Sequence, residues 1–183
     1  MSKIKKLLNT YETFIQLPWK PDSAAEQRVI FCVYDQNDEL RLYAKIEEFE
    51  IATKKVNHGW FLFDMTNTFA VWLSRNRYAK RYFAQPEIVQ TLTGTYLTFI
   101  VEEYKRFLQA HECTENDVIA LTGVASLFGL LKVKEVVDKL SKLTKGRLVV
   151  FFPGSFENDN YRLLDAYDGW NYLAVPITAE TRI

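Results

Sequence analysis

RVIFCVYD, residues 28–35, enters from an arginine, runs through six consecutive apolar side chains and leaves at an aspartate. A strand with one wet face alternates apolar with polar residues, so an unbroken β-branched and aromatic run predicts a strand covered on both faces. The scheme recurs at HGWFLFDMT (58–66), NDVIALTG (116–123), RLVVFFPG (147–154) and NYLAVPI (171–177). Between these runs the apolar period changes from continuous to helical. IKKLLNTYETFI (4–15), QNDELRLYAKIEEFEIATKK (36–55), TFAVWLSRNRYAKRYF (68–83), the long stretch 85–111 and VKEVVDKLSKLTKG (133–146) each carry such a stripe. Strands alternating with helices predict an α/β fold: a three-layer sandwich whose mostly parallel sheet of about five strands is flanked by helices. The layout is Rossmann-like or P-loop-like, in one domain over residues 1–183.

Local chemistry marks the boundaries. LPWKPDS stops the first helix, because its two prolines lack backbone donors and disfavour helix before them. Asp38 is the expected cap of the second helix and Thr66 or Asn67 of the third. Pro86 suits the first turn of the long helix, and Gly146 is the expected C-terminal cap of the last. Pro153-Gly154 is expected to end the fourth strand and turn the chain, with the glycine permitting positive φ. The polar loop beyond it joins the last two strands, either as an antiparallel pair or through a short helix over YRLLDAY.

Composition narrows the function classes. Twenty-three Lys and Arg balance 23 Asp and Glu, so no overall basic excess points to nucleic acid. The one basic run, RNRYAKR at 75–81, reads as a solvated helix face. Cys32 and Cys113 lie far apart without metal-ligand spacing, and a cysteine inside an apolar run behaves as a small hydrophobe. His58 and His111 have no ligand neighbour in sequence. No signal-peptide core and no apolar span of membrane length is present, so a soluble, cytoplasmic protein is expected.

Ligands of open α/β sheets gather at the carboxyl ends of the strands. Those ends carry Asp35, Asp64, Gly123, Pro153 and Gly154. Asp35 and Asp64 would hold Mg²⁺ if their strands were neighbours; otherwise each caps the turn that follows. TGVASLFGLLK lacks the glycine spacing and lysine of a P-loop, no G-x-G-x-x-G occurs, and Ser126 is not in a G-x-S-x-G elbow. No cofactor is expected. In the C-terminal loop Asn158, Asp159 and Asn160 are turn formers and Tyr161 supplies packing. Arg162 either pins Asp165 or Asp168 or reaches outward to an acidic partner.

VIALTGVASLFGLLKVKEVVDKL, followed by GRLVVFFPGSFENDNYRLLDAYDGWNYLAVPI, resembles the BrxB family of bacteriophage-exclusion (BREX) defence systems. The compound pattern is a strand, T-G-V-x-S-L-F, a leucine/valine helix, then a strand ending F-F-P-G with Y-R-L-L downstream. The resemblance implies a small core component working beside a DNA methyltransferase, a large ATPase and the phosphatase-like protein PglZ. It implies an adaptor or assembly subunit with the PglZ-like protein and the ATPase as neighbours, and it brings no catalytic residues. Gly123, Pro153, Gly154, Tyr161 and Arg162 are the matching positions, and they read as fold-defining or as contacts for a partner.

Overall fold

The apolar runs do become strands, and their order across the sheet decides what their ends bring together. The computed structural model describes residues 2–164, 166 and 169–181. Strands β1 (Val29–Tyr34), β2 (Gly59–Asp64), β3 (Asp117–Thr122), β4 (Arg147–Glu157) and β6 (Val175–Ile177) lie side by side in the order β2-β3-β4-β1-β6, all parallel. A short β5 (Asn160–Leu163) pairs antiparallel with the second half of β4, completing a six-stranded sheet.

Helices cover both faces, as the continuous apolar strands require. On one side lie α1 (Lys3–Ile15), α2 (Glu39–Tyr43) and α3 (Ile46–Lys55), burying Leu7, Tyr11, Leu42 and Phe49 against Ile30, Cys32, Val149 and Phe151. On the other lie α4 (Thr68–Ser74), α5 (Ala79–Ala84), α6 (Thr93–Ala110) and α7 (Val133–Leu143). They bury Trp72, Tyr82, Ile100, Tyr104 and the Val133, Val136, Val137, Leu140 stripe of α7 against Phe31, Val33, Leu121 and Val150. Each such side chain removed from water contributes about 1.5–3 kcal/mol. The three-layer α/β sandwich is therefore the fold.

Several boundaries differ from the sequence expectation, each for a local reason. The stretch expected as one helix over 36–55 breaks at Ala44 and Lys45 into α2 and α3, and α4 and α5 likewise part around residues 75–78. Residues Pro86–Leu92 wind as a 3₁₀ helix with the proline in its first turn, and the α-helix begins only at Thr93. Asp38 does take the N-cap position of α2, but its side chain makes no capping bond there: it is buried and paired with Arg41 at 2.6 Å. Asp35 caps instead, its Oδ1 accepting the Asn37 N–H at 3.0 Å. Gly146 is not a helix cap, since α7 ends at Leu143 with an extended Thr144. It is glycine because a Cβ there would sit 2.0 Å from the Asp117 carbonyl.

The largest correction is at Pro153-Gly154, which does not end its strand. β4 runs straight through to Glu157, and the chain turns at Asn158 and Asp159, whose φ values are 49° and 62°. Two left-handed residues between Glu157 and Asn160 make a type I′ hairpin turn. Pro153 needs no N–H where it lies, and its carbonyl accepts from Leu164 N at 2.9 Å. Gly154 lets β5 approach, because a Cβ would meet the Arg162 carbonyl at 2.0 Å. The last predicted strand shrinks to Val175–Ile177 and pairs with β1, not β4. Of the alternative helix over YRLLDAY, Tyr161–Leu163 belong to β5, while Asp165 and Tyr167 lie outside the described residues.

Candidate functional site

The strand order divides the predicted site residues into three places. Asp35 ends β1 and Asp64 ends β2, with β3 and β4 between them. Three inter-strand steps at about 4.8 Å put the two carboxylates roughly 14 Å apart, so they cannot ligate one ion. No group of three or more potential metal-ligating side chains occurs among the described residues.

Asp64 and Gly123 meet at the ends of β2 and β3. Asp64 Oδ1 accepts from Thr66 N at 3.0 Å, Thr66 Oγ1 at 2.6 Å and Thr122 Oγ1 at 3.2 Å. Gly123 has φ +73°, and a Cβ on it would fall 2.4 Å from Thr66 N and 2.9 Å from Asp64 Oδ1. Ser126 Oγ faces two carbonyl oxygens, Gly123 O at 2.7 Å and Met65 O at 3.1 Å. The T-G-V-x-S segment thus clasps the D-M-T segment of the neighbouring strand. These polar atoms are consumed by the clasp, and Ser126 has no histidine partner: His111 Nδ1 bonds the Phe107 carbonyl, and His58 lies at the other end of β2.

Asp35 and Gly154 meet in a cleft of about 520 Å³ at the ends of β1 and β4. The chain leaves β1 toward the α2–α3 layer and leaves β4, through β5, toward the other, which is the topology at which α/β sheets form ligand crevices. Lys3, Asp35, Asn37, Ser155, Glu157 and Glu180 supply its polar lining. Asp35 is held below the ordinary carboxylate range first by the Asn37 backbone N–H, then by the Asn37 side chain and the Lys3 charge; Lys3 Nζ lies 3.7 Å from its Oδ2. The charged lining of the crevice is thus three carboxylates and one lysine among the described residues.

The third place is the hairpin. Asn160 Nδ2 donates to the Asn158 carbonyl at 2.9 Å, bracing the turn. Tyr161 is wholly buried, its ring 4.6 Å from Phe31 and 5.3 Å from Trp170, its hydroxyl donating to the Ala174 carbonyl at 3.3 Å. Burial drives its ionisation well above the ordinary phenol value. Tyr161 is a core residue. Arg162 points to solvent on the alternate face of β5 and lies over Gly169, where a Cβ would come 3.3 Å from its Nε. Its expected anchors, Asp165 and Asp168, lie outside the described residues. The basic run 75–81 straddles the gap between α4 and α5; Arg75 pairs with Glu103 at 3.1 Å and covers the Phe99 ring.

What sequence reasoning missed is at the opposite end of the sheet. His58 stacks on Trp19 at 3.7 Å and 10°, and the Arg147 guanidinium lies 5.0 Å from the same indole. These residues come from three distant segments, and no local spacing announces them. No helix among the described residues is long and apolar enough to cross a membrane. No curated protein and no solved structure matches the chain. A family model described as BREX protein BrxB matches residues 71–177.

Proposed function

The chain belongs to the BrxB family and is a component of a BREX phage-defence system, and from this we propose that it is a non-catalytic adaptor, an assembly subunit joining the PglZ-like protein and the large ATPase. The observation that carries the reading is the set of large apolar side chains left in water. Leu40, Phe83, Phe128 and Leu173 are 84, 70, 53 and 77% exposed. Side chains of this kind exclude water from the core of a protein interface, where aromatic residues are enriched, whereas the polar atoms at the β2 and β3 ends are spent on holding two loops together. Co-purification with the PglZ-like protein and the large ATPase, followed by light scattering, tests it. A complex of defined stoichiometry that Phe83→Ser or Phe128→Ser weakens is expected; a protein that stays alone with both would sink the adaptor reading.

A second reading has one observation in its favour, the crevice at the β1 and β4 ends with Asp35 on its wall. On it the protein is a divergent Mg²⁺- or nucleotide-dependent one. Titration calorimetry with Mg²⁺ alone and with Mg-ATP separates the two: heat lost in Asp35→Ala favours this reading, and silence at millimolar ligand removes it.

A further inference from the structure

The chain carries no net charge, yet four of its cations converge. Lys20 follows α1, Arg28 precedes β1, and Lys145 and Arg147 flank the start of β4. With Trp19 they line a pocket of about 240 Å³ at the amino ends of the central strands. Glu115 is the one carboxylate on its wall among the described residues. None of the four cations has an ion pair among those residues.

Two features make this more than a solvated basic surface. Arg28 is fixed, its Nη1 donating to the Lys145 carbonyl at 2.5 Å. That bond ties the Arg28 side chain to the entry of β4, where it lines the pocket. Arg147 is fixed against Trp19, which His58 backs from its own stack. Burial, and then the adjacent Arg28 charge, pull Arg147 below the ordinary guanidinium value. The two guanidinium charges on one pocket wall repel each other, and a bound anion relieves that repulsion. Guanidiniums favour phosphate because their planar donors match its oxygens in pairs.

We propose that the pocket of Lys20, Arg28, Lys145 and Arg147 is an anion site for a phosphate group, carried by a small phosphorylated ligand or by a polynucleotide backbone. The site is on the opposite end of the sheet from the acidic crevice, and it stands or falls independently of the adaptor reading.

The test is calorimetry and thermal unfolding of the full chain with pyrophosphate, with a single-stranded oligonucleotide, and with chloride at matched ionic strength. The variants are Lys20→Glu/Lys145→Glu, two exposed positions, Arg28→Gln, and Glu115→Gln. Pyrophosphate is expected to bind and raise the melting temperature where chloride does not. The double reversal and Arg28→Gln are expected to weaken binding about tenfold or more, and Glu115→Gln to strengthen it. An oligonucleotide displaced by pyrophosphate, with a log–log salt slope near −3 for about four neutralised phosphates, identifies a polynucleotide source; pyrophosphate binding without it identifies a small ligand. No binding of either at millimolar concentration overturns the proposal. So does binding that survives both the double reversal and Arg28→Gln with the variants folded.

Discussion

At the scale of single residues, two threonines do matching work in the two helical layers. Thr53 Oγ1 donates to the Phe49 carbonyl at 2.9 Å and lies 2.6 Å from the Tyr11 hydroxyl. Thr144 Oγ1 donates to the Leu140 carbonyl at 2.8 Å and lies 2.6 Å from the Tyr104 hydroxyl. A threonine hydroxyl has one proton, already given to the carbonyl, so in each pair the tyrosine is the donor. Thr144→Val keeps the branched shape and removes the acceptor, leaving the buried Tyr104 O–H unmade. A loss of about 1–3 kcal/mol is expected in urea unfolding, and adding Tyr104→Phe should restore part of it. Additive losses in the double variant would refute the assignment. Neither pair was legible in the sequence, where the partners stand about forty residues apart. Asp35 and Asp64 were legible as strand-end aspartates that hold the turn after them, but the distance between them was not. A cap depends on two or three neighbouring residues; a shared metal depends on strand order, which a local run of residues does not encode.

At the scale of elements, strands were readable and their terminations were not. Five apolar runs stand out, most clearly β1, β3 and the first half of β4, where burial on both faces leaves almost no polar residue. β5 escaped because only Tyr161 and Leu163 of its four residues point inward, too short a period to separate from a loop. Proline and glycine misled at 153 and 154, since both also suit a strand where a second backbone closes in. The helices broke where sequence expected continuity, at turns around 44–45 and 75–78 and at the 3₁₀ winding of Pro86–Leu92, because an amphipathic stripe continues across such short interruptions. The hairpin turn offers the test at this scale. Asn158 and Asp159 both occupy the left-handed region, which costs a side-chain-bearing residue energy that glycine does not pay. Asp159→Gly gives the Asn-Gly pair that type I′ turns favour and is expected to stabilise the fold by about 0.5–1 kcal/mol. A decrease in the urea midpoint would show that the turn is held by contacts of the Asp159 side chain instead.

At the scale of the whole molecule, the three layers share one titratable signature. Burial raises the pKa of Tyr11 and Tyr34 in the α1–α3 layer and of Tyr96, Tyr104 and Tyr161 in the other, and of Tyr172 packed against it. In Tyr34 a hydrogen bond to Glu39 raises it further. A group whose folded value lies above its unfolded one favours the folded state fully below the unfolded value and progressively less above it. For these tyrosines the contribution is intact below about pH 10 and is lost as pH rises beyond it. Because the sheet is common to both cores, with Phe31 facing one layer and Cys32 the other, neither layer retains its apolar surface if the strands part. Alkaline titration should therefore show these six phenols ionising in a single step that coincides with loss of far-ultraviolet circular dichroism. Two steps, with tyrosinate absorbance rising before the helices are lost, would mean that the layers come apart separately and that the sheet does not couple them.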